Sequence, residues 1–337
     1  MPTIKDIAKH ANVSICTVSR YLNNNIVVKK QTEERILKAI DELGYVPNMV
    51  AQSLKRNRTQ NVAVILPRIN NMYYSEMTAG ISQRLLQSHY NLFIFEVGNA
   101  ERTEQEILMS MRENMVAGVI FMGQSQDYSF RESLHMLLDR GIPAVYMNRV
   151  VKPDGCPVIY PDFFRASELA AAHLVDTGKR RLALVHQLSD EALIARHRSR
   201  FSVPALAAGL DEPLLVYAEH GLSQSDACLN QLEAQEVDGV FVLNEILAAR
   251  LTKALVRRGK RIPEQIGVIG LGNSVISSIT VPELTGVDLK NHELGVRGAE
   301  LMLAQIEGRP FEPLTVIEPS LLKRESTLMP SAVKVGC

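Results

Sequence analysis

TIKDIAKHANVSICTVSRYLN, residues 3–23, divides into two short helical segments joined by a tight turn. Thr3 and Asp6 have the spacing of a capping box, and Ile4, Ile7, Ala8 and Ala11 then recur with the period of a helix that buries one face. Asn12 and Val13 form the turn. Ser14 caps a second helix that runs to about Leu22, where Asn23, Asn24 and Asn25 break the pattern. A third helix, capped by Thr32, carries the stripe Ile36, Leu37, Ile40 and Leu43 and stops at Gly44. The expectation is an N-terminal all-α helix-turn-helix head.

In the second helix Val18 and Leu22 are four residues apart and face the other helices, while Cys16, Arg20 and Asn23 share the opposite side. A recognition helix puts residues near its N-terminus on base edges in the major groove, which places Ile15, Cys16 and Arg20 there. Arg20 suits a guanine edge and Ile15 a thymine methyl. Ser14, Thr17, Ser19 and Thr32 are short hydroxyl side chains suited to phosphate contacts that set the register. Taken alone, these residues also fit a small helical domain with a basic surface.

Charge separates along the chain. The formal net charge is zero, yet residues 1–60 hold ten Lys/Arg against five Asp/Glu, and the remainder holds 27 against 32. Such asymmetry describes a basic head that meets phosphate and an acidic body that does not.

After Gly44 comes Tyr45-Val46-Pro47-Asn48, then a helical segment to about Arg56 and a polar linker. Nine residues are too few for a helix that stands alone in water, where about 12 to 15 are marginal. Val50, Ala51 and Leu54 share one side of the segment, and Lys55, Arg56 and Arg58 follow. An apolar wedge flanked by cations suits insertion between base steps of a minor groove. A linker helix packed on its own protein is the other reading.

From Val62 the texture changes. VAVILP (62–67), NLFIFEV (91–97), AGVIFMG (117–123), PAVYMN (143–148), RLALVH (181–186), LLVYA (214–218), GVFVLN (239–244) and IGVIGL (266–271) are apolar runs separated by helical patterns. Continuous apolar strands alternating with amphipathic helices signal parallel sheets covered on both faces. Eight units exceed one open sheet of ordinary size, so the body reads as two doubly wound α/β lobes with a ligand crevice at the carboxyl ends of their strands. The boundaries expected are a head over 1–46, a hinge helix and linker over 47–60, and a two-lobed effector-binding and dimerisation domain over 61–337. Lobe one takes about 61–160 plus 290–315, and lobe two about 161–289 plus 316–330.

TIKDIAKHANVSICTVSRYLN, GYVPNMVAQSLKR and the alternating body beginning at VAVILP together resemble the LacI/GalR family of bacterial transcription regulators over essentially the whole chain. The resemblance implies a body like the periplasmic sugar-binding proteins. It also implies a homodimer on a near-palindromic double-stranded DNA operator, with Ile15, Cys16 and Arg20 reading bases and the hinges paired in the minor groove. Leu54 would intercalate, with Asn48, Ala51 and Lys55 beside it on the DNA. Cys16 departs from the residues usual at its position.

The resemblance further implies a small-molecule effector between the lobes, a sugar or a phosphorylated sugar, and no cofactor. Asn71, Tyr73 and Tyr74 follow the first strand, Asn148 and Arg149 end the fourth, and Asn244 ends GVFVLN. Arg198 matches the family's effector-binding arginine. Arg196, His197 and Arg200 beside it also fit a solvated face, and Tyr73 and Tyr74 also fit core or dimer contacts. Where many members carry an aspartate that grips vicinal hydroxyls, this chain has Gly272-Asn273. Nearby arginines with a lost carboxylate lean towards an anionic ligand.

Other classes have weaker claims. GLGNSV (270–275) lacks the third glycine of a dinucleotide fingerprint, and no GxSxG, Walker loop or HExxH occurs, so an enzyme is not expected. Cys16, Cys156, Cys228 and Cys337 form no CxxC or metal-ligand cluster. MPTIKDIAKH lacks the apolar core of a signal peptide, and no run suits a membrane helix, so a cytoplasmic location is expected. The rival reading is a sugar-binding protein without a DNA function, which shares the two-lobed body but not the basic head.

Overall fold

The computed structural model describes residues 2–22, 26, 28–45, 59–97, 104–123, 137–139, 141–148, 156–218 and 226–328. The chain forms two compact units, Met1–Thr59 and Gln60–Cys337.

In the first unit, helices α1 (Ile4–His10), α2 (Ile15–Leu22) and α3 (Lys30–Leu43) enclose a small core of Ile7, Ala8, Ala11, Val18, Ile36 and Ala39. The capping box forms, with Asp6 Oδ2 accepting from both the Thr3 amide and the Thr3 hydroxyl at 2.7 Å. These bonds favour the charged carboxylate and hold the Asp6 pKa below its ordinary value. Ser14 Oγ accepts from the Thr17 amide at 3.0 Å and so caps α2. Two side-chain links tie the outer helices to α3, Tyr21 to Glu33 at 2.8 Å and His10 to Glu42 at 2.6 Å.

Two expectations for α3 are corrected. Thr32 does not cap it, because Lys29 is already the cap residue and its carbonyl accepts from the amides of Thr32 and Glu33. Leu37 is 51% exposed, and Ala39 is buried in its stead. At about 100° per residue the stripe that meets α1 and α2 is Ile36, Ala39, Ile40 and Leu43, which leaves Leu37 a quarter-turn aside. Gly44 closes the helix in the left-handed region at φ 57°, as its sequence position implied.

The second unit holds two six-stranded sheets. Strands β1 (Asn61–Leu66), β2 (Asn91–Glu96), β3 (Gly118–Met122), β4 (Ala144–Met147), β5 (Val158–Pro161) and β11 (Leu314–Ile317) form the first, in the order β11-β5-β4-β3-β1-β2. Strands β6 (Leu182–His186), β7 (Leu214–Tyr217), β8 (Gly239–Val242), β9 (Gly267–Leu271), β10 (Thr285–Asp288) and β12 (Ser320–Leu322) form the second, in the order β12-β10-β9-β8-β6-β7. Every pairing is parallel except β10 with β12. The chain passes between sheets three times, after β5, after β10 and after β11. Eight of the twelve strands are the apolar runs quoted above. The other four, β5, β10, β11 and β12, are short, and β11 and β12 lie at sheet edges where side chains stay partly wet.

Helices α4 (Met72–Gln87), α5 (Glu104–Glu113) and α11 (Asn291–Ile306) cover the first sheet, and α6 (Phe163–Asp176), α7 (Glu191–Ala207), α8 (Asp226–Ala234), α9 (Glu245–Arg257) and the short α10 (Val275–Ile279) accompany the second. Both faces of each sheet are buried. In β1, Val62, Val64 and Leu66 join the core under α4 and α11, while Ala63 and Ile65 join the one under α5. Alternate residues thus enter two different cores, which is why these strands read as unbroken apolar runs. α4 and α11 approach at backbone distance. A Cβ on Gly80 would stand 2.1 Å from the His292 carbonyl oxygen, and one on Gly295 would stand 2.0 Å from that of Met77. No helix of the described residues is long and apolar enough to cross a membrane.

Candidate functional sites

On the head, Val18 is buried, Tyr21 and Leu22 pack partly beside it, and the opposite side of α2 faces outward. Ile15 is 47% exposed, Ser14, Cys16 and Arg20 are exposed, and Thr17 and Ser19 are half-buried. Thr32 stands half-buried in the first turn of α3. Ile15 is one of two large apolar side chains the head leaves exposed among the described residues, with Leu37. The structure therefore brings Ile15, Cys16 and Arg20 onto one accessible face. Asn23, Asn48, Ala51, Leu54 and Lys55 lie outside the described residues.

In the body, a cavity of about 310 Å³ opens between the lobes. Nearly all its walls come from segments that follow strand carboxyl ends, as doubly wound sheets require. After β1 stand Asn71, Tyr73, Tyr74 and Glu76; after β4, Asn148; after β8, Asn244 and Glu245; after β9, Gly272 and Ser274; and Asn291 opens α11. Phe163, Leu188, Leu243, Ile246, Leu271 and Leu289 supply the apolar part.

Five residues expected from sequence meet there: Asn71, Tyr73, Tyr74, Asn148 and Asn244. Asn71 and Asn244 are helix caps, their amide oxygens accepting from Tyr73 N at 3.0 Å and Leu247 N at 2.9 Å. Each cap occupies one of the oxygen's two acceptor sites, and the NH2 is the donor each side chain can offer a ligand. The Tyr73 hydroxyl donates to Asn148 Oδ1 at 2.6 Å, and burial lifts its pKa well above 10, so it stays a neutral hydroxyl. Tyr74 meets Tyr73 edge to face at 5.3 Å and is also part of the core under α4, so it serves both packing and wall. Arg149 lies outside the described residues.

Arg198 is corrected. It does not line the cavity; its Nε lies 3.2 Å from Glu212 Oε1 on a side chain that is 43% exposed. The buried positions of α7 are Ile194, His197, Phe201, Ser202 and Ala205, so residue 198, one step past 197, is carried outward by the helical turn. His197 takes the cavity position. It is 3% exposed, its Nδ1 pairs with Ser167 Oγ at 2.8 Å, and burial drops its pKa to about 4, which leaves the ring uncharged at pH 7. Arg196 and Arg200 line a second cavity of about 330 Å³, with Arg196 stacked 3.9 Å over the Phe164 ring.

The described wall gives the lean towards an anionic ligand no cation to rest on. Among the described residues the wall holds no Lys or Arg and two carboxylates, Glu76 and Glu245. Glu76 accepts from Asn291 Nδ2 at 3.1 Å, and burial, with Glu245 and Asp288 adding to it, raises its pKa above the ordinary value. Glu245 Oε1 accepts from Ser274 N at 2.7 Å and Ser277 Oγ at 2.6 Å. Neither acid was singled out from sequence, where each lies inside a helical pattern; only Glu245's position next to Asn244, at a helix start, was a signal.

Residues 3–48 match the model of bacterial regulatory proteins of the lacI family, and residues 171–327 match a periplasmic binding protein-like domain. The HTH-type transcriptional regulator GntR of Pseudomonas aeruginosa is 30% identical, over 97% of this chain and 96% of its own. Among solved structures, the transcriptional regulator CelR-cellobiose complex is 27% identical with a TM-score of 0.66, covering 97% of this chain and 100% of that one. The lac repressor dimer bound to operator and an anti-inducer has the same fold at 22% identity and a TM-score of 0.78, covering 97% and 99%. The similarity runs along nearly the full length of the chain, from the three-helix head through the two doubly wound lobes, and the chain belongs to the lacI family of bacterial regulatory proteins.

Proposed function

We propose that the protein is a homodimeric, sequence-specific transcription repressor whose affinity for a near-palindromic operator is set by a small hydroxylated effector bound between the lobes. The observation that carries the reading is a polar cavity with walls from both lobes, in a chain whose head presents Ile15, Cys16 and Arg20 outward. Cellobiose in the CelR complex supports a sugar-like effector. Because Asn71, Tyr73 and Asn148 belong to one lobe and His197, Asn244 and Glu245 to the other, a ligand that touches both favours a closed arrangement of the two. Hinge segments too short to hold as free helices convert such a shift into a change in DNA affinity.

Selection of DNA from a random pool by the full chain tests this. A near-palindrome should emerge, and a chain lacking residues 1–58 should recover none; enrichment by the shortened chain, or none by the full one, refutes the reading. Leu54→Ala should weaken operator binding about tenfold or more in gel shifts while calorimetric effector affinity stays unchanged, as removal of an intercalating wedge demands. His197→Ala should lower effector affinity more than Arg198→Ala does, since only His197 lines the cavity. The opposite ranking in titration calorimetry would return the role to Arg198.

A further inference from the structure

We propose that the effector carries a primary ammonium group on a hydroxylated frame, an amino sugar or amino-polyol, and that Glu76 and Glu245 hold its charge. This rests on the reading of the cavity as the effector site and names the class of molecule it takes.

The described wall holds Glu76 and Glu245 and no lysine or arginine; outside it, Asp288 acts to raise the Glu76 pKa and His292 to lower it. His197, the one imidazole in the wall, is neutral at pH 7. Two carboxylates in a partly desolvated cleft repel each other, and a phosphate placed between them adds to that repulsion, whereas a cation relieves it.

Asn291 is 5% exposed, and its Nδ2 donates to Glu76. Since a carboxylate only accepts, that bond fixes the amide orientation and directs Oδ1 away from Glu76. Among the described residues Oδ1 is buried without any donor. A buried carbonyl oxygen left unpaired costs about 1–3 kcal/mol, so such atoms normally find a partner. Glu245 shows a similar surplus. Its Oε1 takes both the Ser274 and Ser277 bonds, and no hydrogen bond among the described residues reaches Oε2. Glu245 Oε2 and Asn291 Oδ1 thus lack a donor among the described residues; the NH2 groups that Asn71 and Asn244 offer are neutral, whereas an ammonium supplies three charged donors and no acceptor.

Gly272 fits the same placement of charge. A Cβ there would stand 3.0 Å from Glu245 Cβ and 3.2 Å from Glu245 Oε2, on a backbone at φ 133° that L side chains rarely adopt. The absence of a side chain at 272 is what lets the Glu245 carboxylate occupy this wall. The acid missing after β9 is supplied instead from the start of α9, next to the place Gly272 leaves open and near enough to Glu76 to raise its pKa. Tyr73, Asn71, Asn148 and Asn244 then face the frame of the ligand with hydroxyl and amide groups suited to sugar hydroxyls.

Titration calorimetry and thermal shift on the full chain at pH 7 test the proposal with D-glucosamine, D-galactosamine and D-mannosamine. D-glucose, N-acetyl-D-glucosamine, D-glucose 6-phosphate and 1,4-diaminobutane complete the panel. At least one free amino sugar should bind tenfold or more tightly than D-glucose, and acetylation should remove the gain. Glu76→Gln and Glu245→Gln, which keep the shape and one hydrogen-bonding oxygen but remove the charge, should each erase most of the difference between amino sugar and D-glucose. D-glucose or D-glucose 6-phosphate binding as tightly as every amino sugar overturns the proposal. So does tighter binding of 1,4-diaminobutane, which would make the site a plain cation trap, and so does no response from any amine. None of these outcomes touches the regulator reading, which stands or falls on operator binding by the same preparation.

Discussion

Gly295→Ala should lower the melting temperature of the body by about 6–12 °C. The new methyl would stand 2.0 Å from the Met77 carbonyl oxygen and 3.0 Å from the Ile81 amide nitrogen. These are backbone atoms of α4, which cannot swing aside as a side chain does. Forced overpacking of this kind costs about 3 kcal/mol, and each kcal/mol is worth roughly 2–4 °C in a unit of this size. Gly80→Ala strikes the same interface from the other side, against the His292 carbonyl, and should fall in the same range. α4 carries Tyr73 and Glu76, and α11 opens at Asn291, so prying the helices apart should also weaken effector binding. Differential scanning calorimetry reads the first effect, and an unchanged melting temperature would mean the helices do not meet at backbone distance.

Ile36→Ala should abolish operator binding by a factor of about a hundred or more without touching the cavity. Ile36 is fully buried in a core of six small or medium residues. Loss of that volume costs about 2–5 kcal/mol, which rivals the whole stability of a unit of some sixty residues. The head then unfolds while the body, with its separate cores, stays intact. Gel shifts should show the lost DNA binding, and effector should still raise the melting temperature of the body. Retained operator affinity would show that the head does not depend on this core.

Much of this was legible along the chain. The capping box at Thr3 and Asp6, the Ser14 cap and the Gly44 stop are local signals, and each acts within one helical turn of itself. Eight strands were legible because each sits in an unbroken apolar run, which for the inner ones follows from burial on both faces. β5, β10, β11 and β12 were not, since four residues or fewer with a Pro161, a Gly286 or an exposed edge carry too little pattern. Cavity residues that directly follow a strand, such as Asn71, Asn148 and Asn244, could be placed from the strand alone. Arg198 failed because one residue along a helix is about 100° of rotation, and sequence spacing does not say which of two neighbours faces inward.

The sequence by itself determined the architecture: a basic helical head, two doubly wound lobes and a crevice at their strand ends, because periodicity and caps are properties of neighbouring residues. Only the tertiary structure decided the chemistry of the crevice. Glu76 and Asn291 are 215 residues apart and meet at 3.1 Å, and the Glu245 carboxylate fills the space that Gly272 leaves open. Charge and hydrogen-bond balance in a cleft depend on which distant groups share it, and that is fixed by how α4, α9 and α11 are set around the sheets rather than by any local stretch of chain.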